Sequence, residues 1–206
     1  MIHAPTDVAA PHSRRARAEC RFPGIIITPA LIGVGAYARL VRDGSLQELR
    51  AGVAASHTHA SLPQIRAASL APSVPRRGAL TGASALWVHG WRAAEPMPVP
   101  VTIAARPGVR LSEPVGTTVA WRNVTHEASV TSASMIAGVV VARPSAAVAM
   151  ALSHDALDHA LPASWWALHA GRATALDVEM LLPRKGPATR RAWSAWRALT
   201  NAREQI

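Results

Sequence analysis

The spacing of apolar residues changes twice along this chain of 206 residues. A helical pattern interrupted by glycines occupies residues 25–44, and two short strand-like segments follow it as far as residue 55. Between residues 99 and 142 apolar residues alternate with other residues in short segments that turn sequences separate. From Arg143-Pro144 onwards the pattern is helical again. This order predicts an α+β fold.

Residues 23–60 have the outline of a winged helix-turn-helix. A short helix is predicted after Thr28-Pro29, and a second helix is predicted to end at Gly44. The wing is a hairpin with Leu46, Leu49 and Val53 as its apolar positions, and Arg50-Ala51-Gly52 is its predicted turn. A helix beside a basic hairpin is a common means of gripping a DNA groove and its flanking backbone.

The second of these helices supplies the chemistry for DNA binding. At 3.6 residues per turn we predict an inward face that carries Ala36, Leu40 and Val41. The outward face is predicted to carry three groups that can contact base edges and phosphates: Tyr37, Arg39 and Arg42. Arg50 is predicted at the tip of the wing. The alternative, an ordinary helix and hairpin with solvated arginines, stays open at this stage.

Charge and composition favour a polyanionic partner. The chain has 22 basic and 12 acidic side chains, which give a formal net charge of +10. Residues 1–22 read as a basic flexible arm that could lie along phosphates or enter a minor groove through Arg14, Arg15 and Arg17, although a plain tail explains them too.

The single cysteine, Cys20, provides neither a disulfide framework nor a cysteine-built zinc site, which fits the reducing cytoplasm. No apolar run is long enough to predict a membrane span.

The remaining elements are a connector and a second domain. Residues 61–75 are predicted to hold one helix, from Leu62 to Leu70, with Pro63 in its first turn. Residues 76–206 are predicted to form a strand and helix over residues 78–91, then a small, mostly antiparallel sheet packed with a C-terminal helical bundle. The four helices of the bundle are predicted from Pro144 or Ser145, from Asp155, after a Thr174 cap and after Gly186-Pro187.

Candidate catalytic and metal residues are sparse. His57 and His59 alternate like ligands on a strand but have no third ligand nearby, and Ser84 lacks the second glycine of a nucleophile elbow. Four groups on the predicted helix from residue 155 are spaced four apart and could share a face: His154 with Asp158, and Asp155 with His159. They are the basis of an alternative in which the chain is an enzyme or a degenerate nuclease-related fragment. We predict no catalytic site, metal or cofactor.

The last helix has two interpretations. Trp193 and Trp196 form an apolar stripe, while Arg190 and Arg197 lie seven residues apart on a helix with several further basic residues. These four residues could form a surface for an acidic partner or a second DNA contact. Alternatively, the tryptophans pack on the local core and the arginines are solvated.

Five segments together resemble the AbiEi-type antitoxins of type IV toxin-antitoxin systems. RLVRDGSLQELRAGVAA is similar to their recognition helix and wing, and RRGALTGASALWVHGW is similar to their strand-to-helix block. PVTIAARPGVRL, SMIAGVVVARPSAAVAMAL and LDHALPASWWALHAGRATALDVEMLL follow in the same order. The resemblance extends over residues 25–203 and does not include the Vsr-like nuclease domain of many longer relatives. The first helix of the family's trihelical N-terminal unit has no clear counterpart in residues 1–21, so the completeness of the winged helix stays open.

The resemblance implies a function as well as a fold. Members of this family are DNA-binding autorepressors, and their C-terminal domain counters a nucleotidyltransferase toxin without needing a stable complex with it. For this chain it implies double-stranded DNA of its own promoter region as one partner and such a toxin as a functional partner. Residues 76–206 would then be the AbiEi-like antitoxin domain. Arg39, Arg42 and Arg50 occupy the recognition-helix and wing positions.

Overall fold

A helix pair and a hairpin begin the part of the chain that the structure describes, namely residues 25–74, 78–91, 99–103, 119–123 and 132–204 of a computed structural model. Helix α1 (Pro29–Ile32) has a proline in its first turn, and α2 (Val34–Arg42) follows it after Gly33. Strands β1 (Leu46–Arg50) and β2 (Val53–Ser56) pair antiparallel, with an irregular register between Glu48 and Arg50. The predicted end of the second helix and the predicted hairpin after it are confirmed.

One further strand-like contact joins this group of elements. Ile27, ahead of α1, forms an isolated antiparallel bridge with Ala54 in β2. Both backbone hydrogen bonds of the bridge are made, at 2.8 and 2.9 Å. We call the elements from Ile27 to the end of β2 the helix-hairpin unit. The bridge fixes the chain that leads into α1 against the hairpin.

A short connector links this unit to the rest of the molecule. It consists of α3 (His57–Ala60), α4 (Pro63–Leu70) and a 3-10 turn (Ala71–Ser73). The helix predicted over residues 62–70 is confirmed, with Leu62 as its N-cap. His57 and His59 lie on α3 and not on a strand, so the strand-borne spacing considered for a metal pair is absent.

Among the described residues, five strands form one sheet in the order β5-β4-β3-β7-β6. Their bounds are β3 (Gly78–Leu80), β4 (Val99–Ile103), β5 (Val119–Asn123), β6 (Ala133–Ile136) and β7 (Val139–Ala142). The pairs β3-β4 and β6-β7 are antiparallel, while β3-β7 and β4-β5 are parallel. The sheet is therefore mixed, and the prediction of a mostly antiparallel sheet is wrong, because β4 pairs parallel with β5 and β3 enters the centre of the sheet and pairs parallel with β7.

The helices after the first strand of the sheet form the helical body. They are α5 (Gly82–Val88), α6 (Pro144–His154), α7 (Leu157–His169), α8 (Ala175–Leu181) and α9 (Ala188–Glu204). Helix α6 contacts the other four. Its residues are apolar on nearly every side, and Val148 and Leu152 are fully buried, as expected for a helix at the centre of a core. Thr174 caps α8 as predicted, by accepting a hydrogen bond from the Asp177 backbone at 3.2 Å.

The molecule is thus a mixed helix and strand structure, which confirms the predicted α+β class at that level. Within the residues given above, no helix combines the length and the apolar character needed to cross a membrane. The arm arginines Arg14, Arg15 and Arg17 lie outside the described residues.

Candidate nucleic-acid interface

The end of α2 carries two exposed arginines on one face. Arg39 and Arg42 lie three residues apart in its last turn, which separates them by about 60° around the helix axis. The Nε atom of Arg42 is 3.6 Å from a carboxylate oxygen of Asp43, but both side chains are largely exposed. Such a surface ion pair contributes little, so it does not hold the guanidinium in place. Both arginines are available to a ligand in solution.

Tyr37, predicted on the same outward face, lies on the opposite one. Only 6% of its surface is exposed, and its hydroxyl donates a hydrogen bond to Oε1 of Glu48 in β1 at 2.9 Å. The prediction of an outward phenol is wrong because Tyr37 lies three and four positions before Leu40 and Val41, in the middle of the half-buried face. Tyr37 is therefore a packing residue and not a base contact.

The bond from Tyr37 joins the helix to the hairpin. The same Glu48 oxygen also accepts a hydrogen bond from the backbone N–H of Gly52 in the turn, at 3.0 Å. Burial, followed by the hydrogen bond to Glu48 and that residue's negative charge, raises the pKa of Tyr37 to about 12. One carboxylate thus ties α2, β1 and the hairpin turn together.

Arg50, predicted at the tip of the wing as a DNA contact, is directed elsewhere. It is the last residue of β1, and its Nη1 donates a hydrogen bond to Oγ of Ser73 in the connector at 3.1 Å. Its Nε is buried and has no hydrogen-bond partner among the residues described. The predicted set of three outward guanidiniums is therefore reduced to Arg39 and Arg42, with Arg50 turned back towards the molecule.

The structure also changes the interpretation of the surface considered on the last helix. Trp196 is 2% exposed, and its indole donates to Oε1 of Glu179 in α8 at 3.1 Å. Trp193 is half-buried and donates to the backbone oxygen of Pro183 at 3.1 Å. Trp196 is therefore not part of an exposed stripe, and both tryptophans fasten α9 to α8 and the segment after it, as the alternative interpretation of core packing expects. Arg190 and Arg197 are exposed, as a solvated face requires.

The histidine and aspartate residues around position 155 do not form one exposed cluster. The two helices predicted here are confirmed, but His154 ends α6 and α7 begins only at Leu157, so Asp155 lies between the helices and the four groups do not share one helix. Asp158 and His159 are exposed neighbours, with Nε2 of His159 3.8 Å from Oδ2 of Asp158. The carboxylate of Asp155 is buried and accepts a hydrogen bond from the Ala83 backbone at 2.8 Å, at the start of α5.

Ser84 lies inside the core rather than at a site. It is fully buried in the first half of α5. In the part of the chain that the structure describes, no group of three or more histidine, cysteine, aspartate or glutamate side chains could hold a metal ion. Asp155 was not identified from the sequence as a helix cap, because it lies 72 residues from the backbone that it caps.

Comparisons with protein-family models, with curated proteins and with solved structures found no match to this chain.

Proposed function

We propose that the chain is a DNA-binding transcriptional repressor whose helix-hairpin unit works as a winged helix-turn-helix. The order of its elements supports this: Ile27 precedes two helices, and its backbone pairs with the second strand of the hairpin that follows them. This is the order in which a winged helix runs from its first strand through the recognition helix to the wing. In this assignment α2 is the recognition helix.

The observation that carries the proposal is the pairing of two exposed guanidiniums with a buried tether on the opposite face of the same helix. Arg39 and Arg42 face solvent, while Tyr37 holds the other side of α2 to the hairpin. A helix fixed in this way can present arginines to guanine edges and phosphates without first ordering itself. The net charge of +10 adds a sequence-independent attraction to duplex DNA.

The antitoxin part of the proposal comes from the resemblance to the AbiEi-type antitoxins. On this proposal the chain acts in the cytoplasm, represses its own promoter and counters a nucleotidyltransferase toxin through residues 76–206. Direct contact with the toxin is not required. No catalytic step and no cofactor belong to the proposal, and Asp155 already serves as an internal cap for α5.

Binding to the DNA directly upstream of its own gene tests the repressor proposal. The double variant Arg39→Ala with Arg42→Ala should bind that DNA on the order of 100-fold more weakly in a gel-shift titration, because each lost arginine contact costs about 1–3 kcal/mol. A matched control removes two other exposed arginines, Arg143 and Arg172, and should bind within about threefold of the parent chain. Equal weakening of the two double variants would contradict a site on α2.

A second experiment separates repression from toxin neutralisation. Cells carrying the chain together with a type IV nucleotidyltransferase toxin should grow when the chain bears the Arg39→Ala and Arg42→Ala changes, because the antitoxin role is assigned to residues 76–206. The same variant should fail to repress a reporter that is driven by the chain's own promoter. Growth arrest with the folded variant, or with the parent chain, would contradict the antitoxin assignment.

A further inference from the structure

The position of Arg50 is at odds with its place at the hairpin turn. A residue at the end of β1 would be free to reach a DNA backbone, yet its guanidinium bonds to Ser73, which is itself 6% exposed. The buried Nε shows that the base of the guanidinium is enclosed as well. Arg50 can reach a phosphate only by giving up the bond to Ser73 and exposing its polar groups.

Ser73 lies on a part of the connector that is firmly attached to the helical body. Arg66 in α4 is buried and donates to the backbone oxygens of Ala60, Trp87 and Trp91 at 3.0, 2.6 and 2.7 Å. Its guanidinium carbon is also 5.0 Å from the centre of the Trp87 ring. These contacts fix α4 to the end of α5, so the turn that carries Ser73 is a fixed point for the hairpin.

The same strand also holds the recognition helix. Glu48, two residues before Arg50, accepts the hydrogen bond of Tyr37 from α2. Two side-chain hydrogen bonds therefore join strand β1 to α2 and to the connector. A movement of β1 relative to Ser73 would carry α2 with it.

We propose that Arg50 is a positioning residue: its bond to Ser73 fixes the hairpin, and through Glu48 the recognition helix, at one orientation on the helical body. This rests on the proposed function insofar as the orientation serves DNA binding. Arg39 and Arg42 contact the DNA, and Arg50 does not. A fixed orientation strengthens DNA binding because a loosely held helix spends binding energy on being ordered.

Salt dependence distinguishes a positioning residue from a phosphate contact. Arg50→Ala and Ser73→Ala should each weaken binding to the upstream DNA by about tenfold, the size expected for losing a hydrogen bond to a charged group. The slope of log affinity against log salt should stay at the parent value in both, because no neutralised phosphate is lost. The double variant should be no weaker than either single variant, because both remove the same bond. A slope reduced by about one in Arg50→Ala, together with normal binding by Ser73→Ala, would overturn the proposal.

A measurement without DNA tests the fixed orientation by itself. Spin labels on cysteines at exposed Ala51, in the hairpin turn, and exposed Ser194, on α9, report the distance between hairpin and body, with Cys20 changed to serine in every variant. Arg50→Ala and Ser73→Ala should broaden the distance distribution, and Gln47→Ala on the exposed side of β1 should not. Unchanged distributions in folded Arg50→Ala and Ser73→Ala would overturn the proposal. If the distributions broaden but the parent chain does not bind the DNA, the proposed function fails and the positioning role stands.

Discussion

The helix-hairpin unit and the helical body are held together by different kinds of contact. The body buries the apolar side chains of α6 and of the helices around it, among them Val148 and Leu152 in α6 and Leu86 in α5, which are fully buried. The helix-hairpin unit buries few large side chains and leaves Leu31 and Val34 about two-thirds or more exposed. Its geometry depends instead on specific polar contacts, from Tyr37 to Glu48 and from Arg50 to Ser73.

Under the proposed function, this contrast assigns stability to the helical body and DNA presentation to the helix-hairpin unit. Apolar packing in the body is non-directional and supplies most of the folding free energy. Hydrogen bonds in the helix-hairpin unit contribute less energy but are directional, so they determine where Arg39 and Arg42 point. The causes of the pKa shifts also differ between the two regions. In the body, burial lowers the pKa of His89. In the helix-hairpin unit, burial and the neighbouring Glu48 raise the pKa of Tyr37. The predictions below test this division from the largest effect to the smallest.

Two glycines with positive φ provide the sharpest test of the difference in packing. A Cβ on Gly82 at the start of α5, where φ is +53°, would clash with the Asp155 carboxylate, whereas a Cβ on Gly44, where φ is +73°, would meet open space. Gly82→Ala should lower the free energy of unfolding by about 3–5 kcal/mol, from backbone strain, overpacking and a displaced cap. Gly44→Ala introduces backbone strain but no clash, so it should lower the free energy of unfolding by about 1 kcal/mol. Urea unfolding of both variants measures the difference, and equal costs would mean that the two regions are packed alike.

The alkaline titration of Tyr37 tests the polar tie in the helix-hairpin unit. It is the only tyrosine of the chain, so the ultraviolet absorbance of phenolate reports this residue alone. The midpoint should lie near the pKa of about 12, and Glu48→Gln should move it down towards the ordinary tyrosine pKa of 10.0, because the carboxylate charge is removed. Since the folded-state pKa is above the unfolded one, the stability from this group is complete below pH 10.0 and is lost as the pH rises through about 12. A midpoint near 10.0 in the parent chain would show that the tie is not formed.

Local sequence pattern predicts the positions of helices and strands well, but it predicts poorly which residues and elements they contact. The end of α2, the hairpin, the helix after Leu62 and the Thr174 cap all follow from residues within a few positions of one another. The orientation of Tyr37 was also accessible, because its spacing from Leu40 and Val41 puts it on their face. The outward assignment follows from the chemistry of the phenol, which resembles the arginines as a DNA contact, and not from this spacing.

The missed contacts of the candidate site depend on residues that are distant in sequence. Arg50 pairs with Ser73 across 23 positions, and Asp155 caps the Ala83 backbone across 72. Strand β3 likewise takes the central place in the sheet between β4 and β7, and strand order is not encoded in the alternation of any one segment. A pattern within one element predicts its exposed face but not the partner that the face will meet.

The salt dependence of DNA binding tests most directly the claim that Arg39 and Arg42 present positive charge to a DNA backbone. Affinity for the upstream DNA should be measured over a series of salt concentrations for the parent chain, for Arg39→Ala with Arg42→Ala, and for Arg143→Ala with Arg172→Ala. The slope of log affinity against log salt should be smaller by about 2 in the α2 variant, one unit for each lost phosphate contact, and unchanged in the control. Equal slopes and equal affinities for the parent chain and the α2 variant would contradict the account.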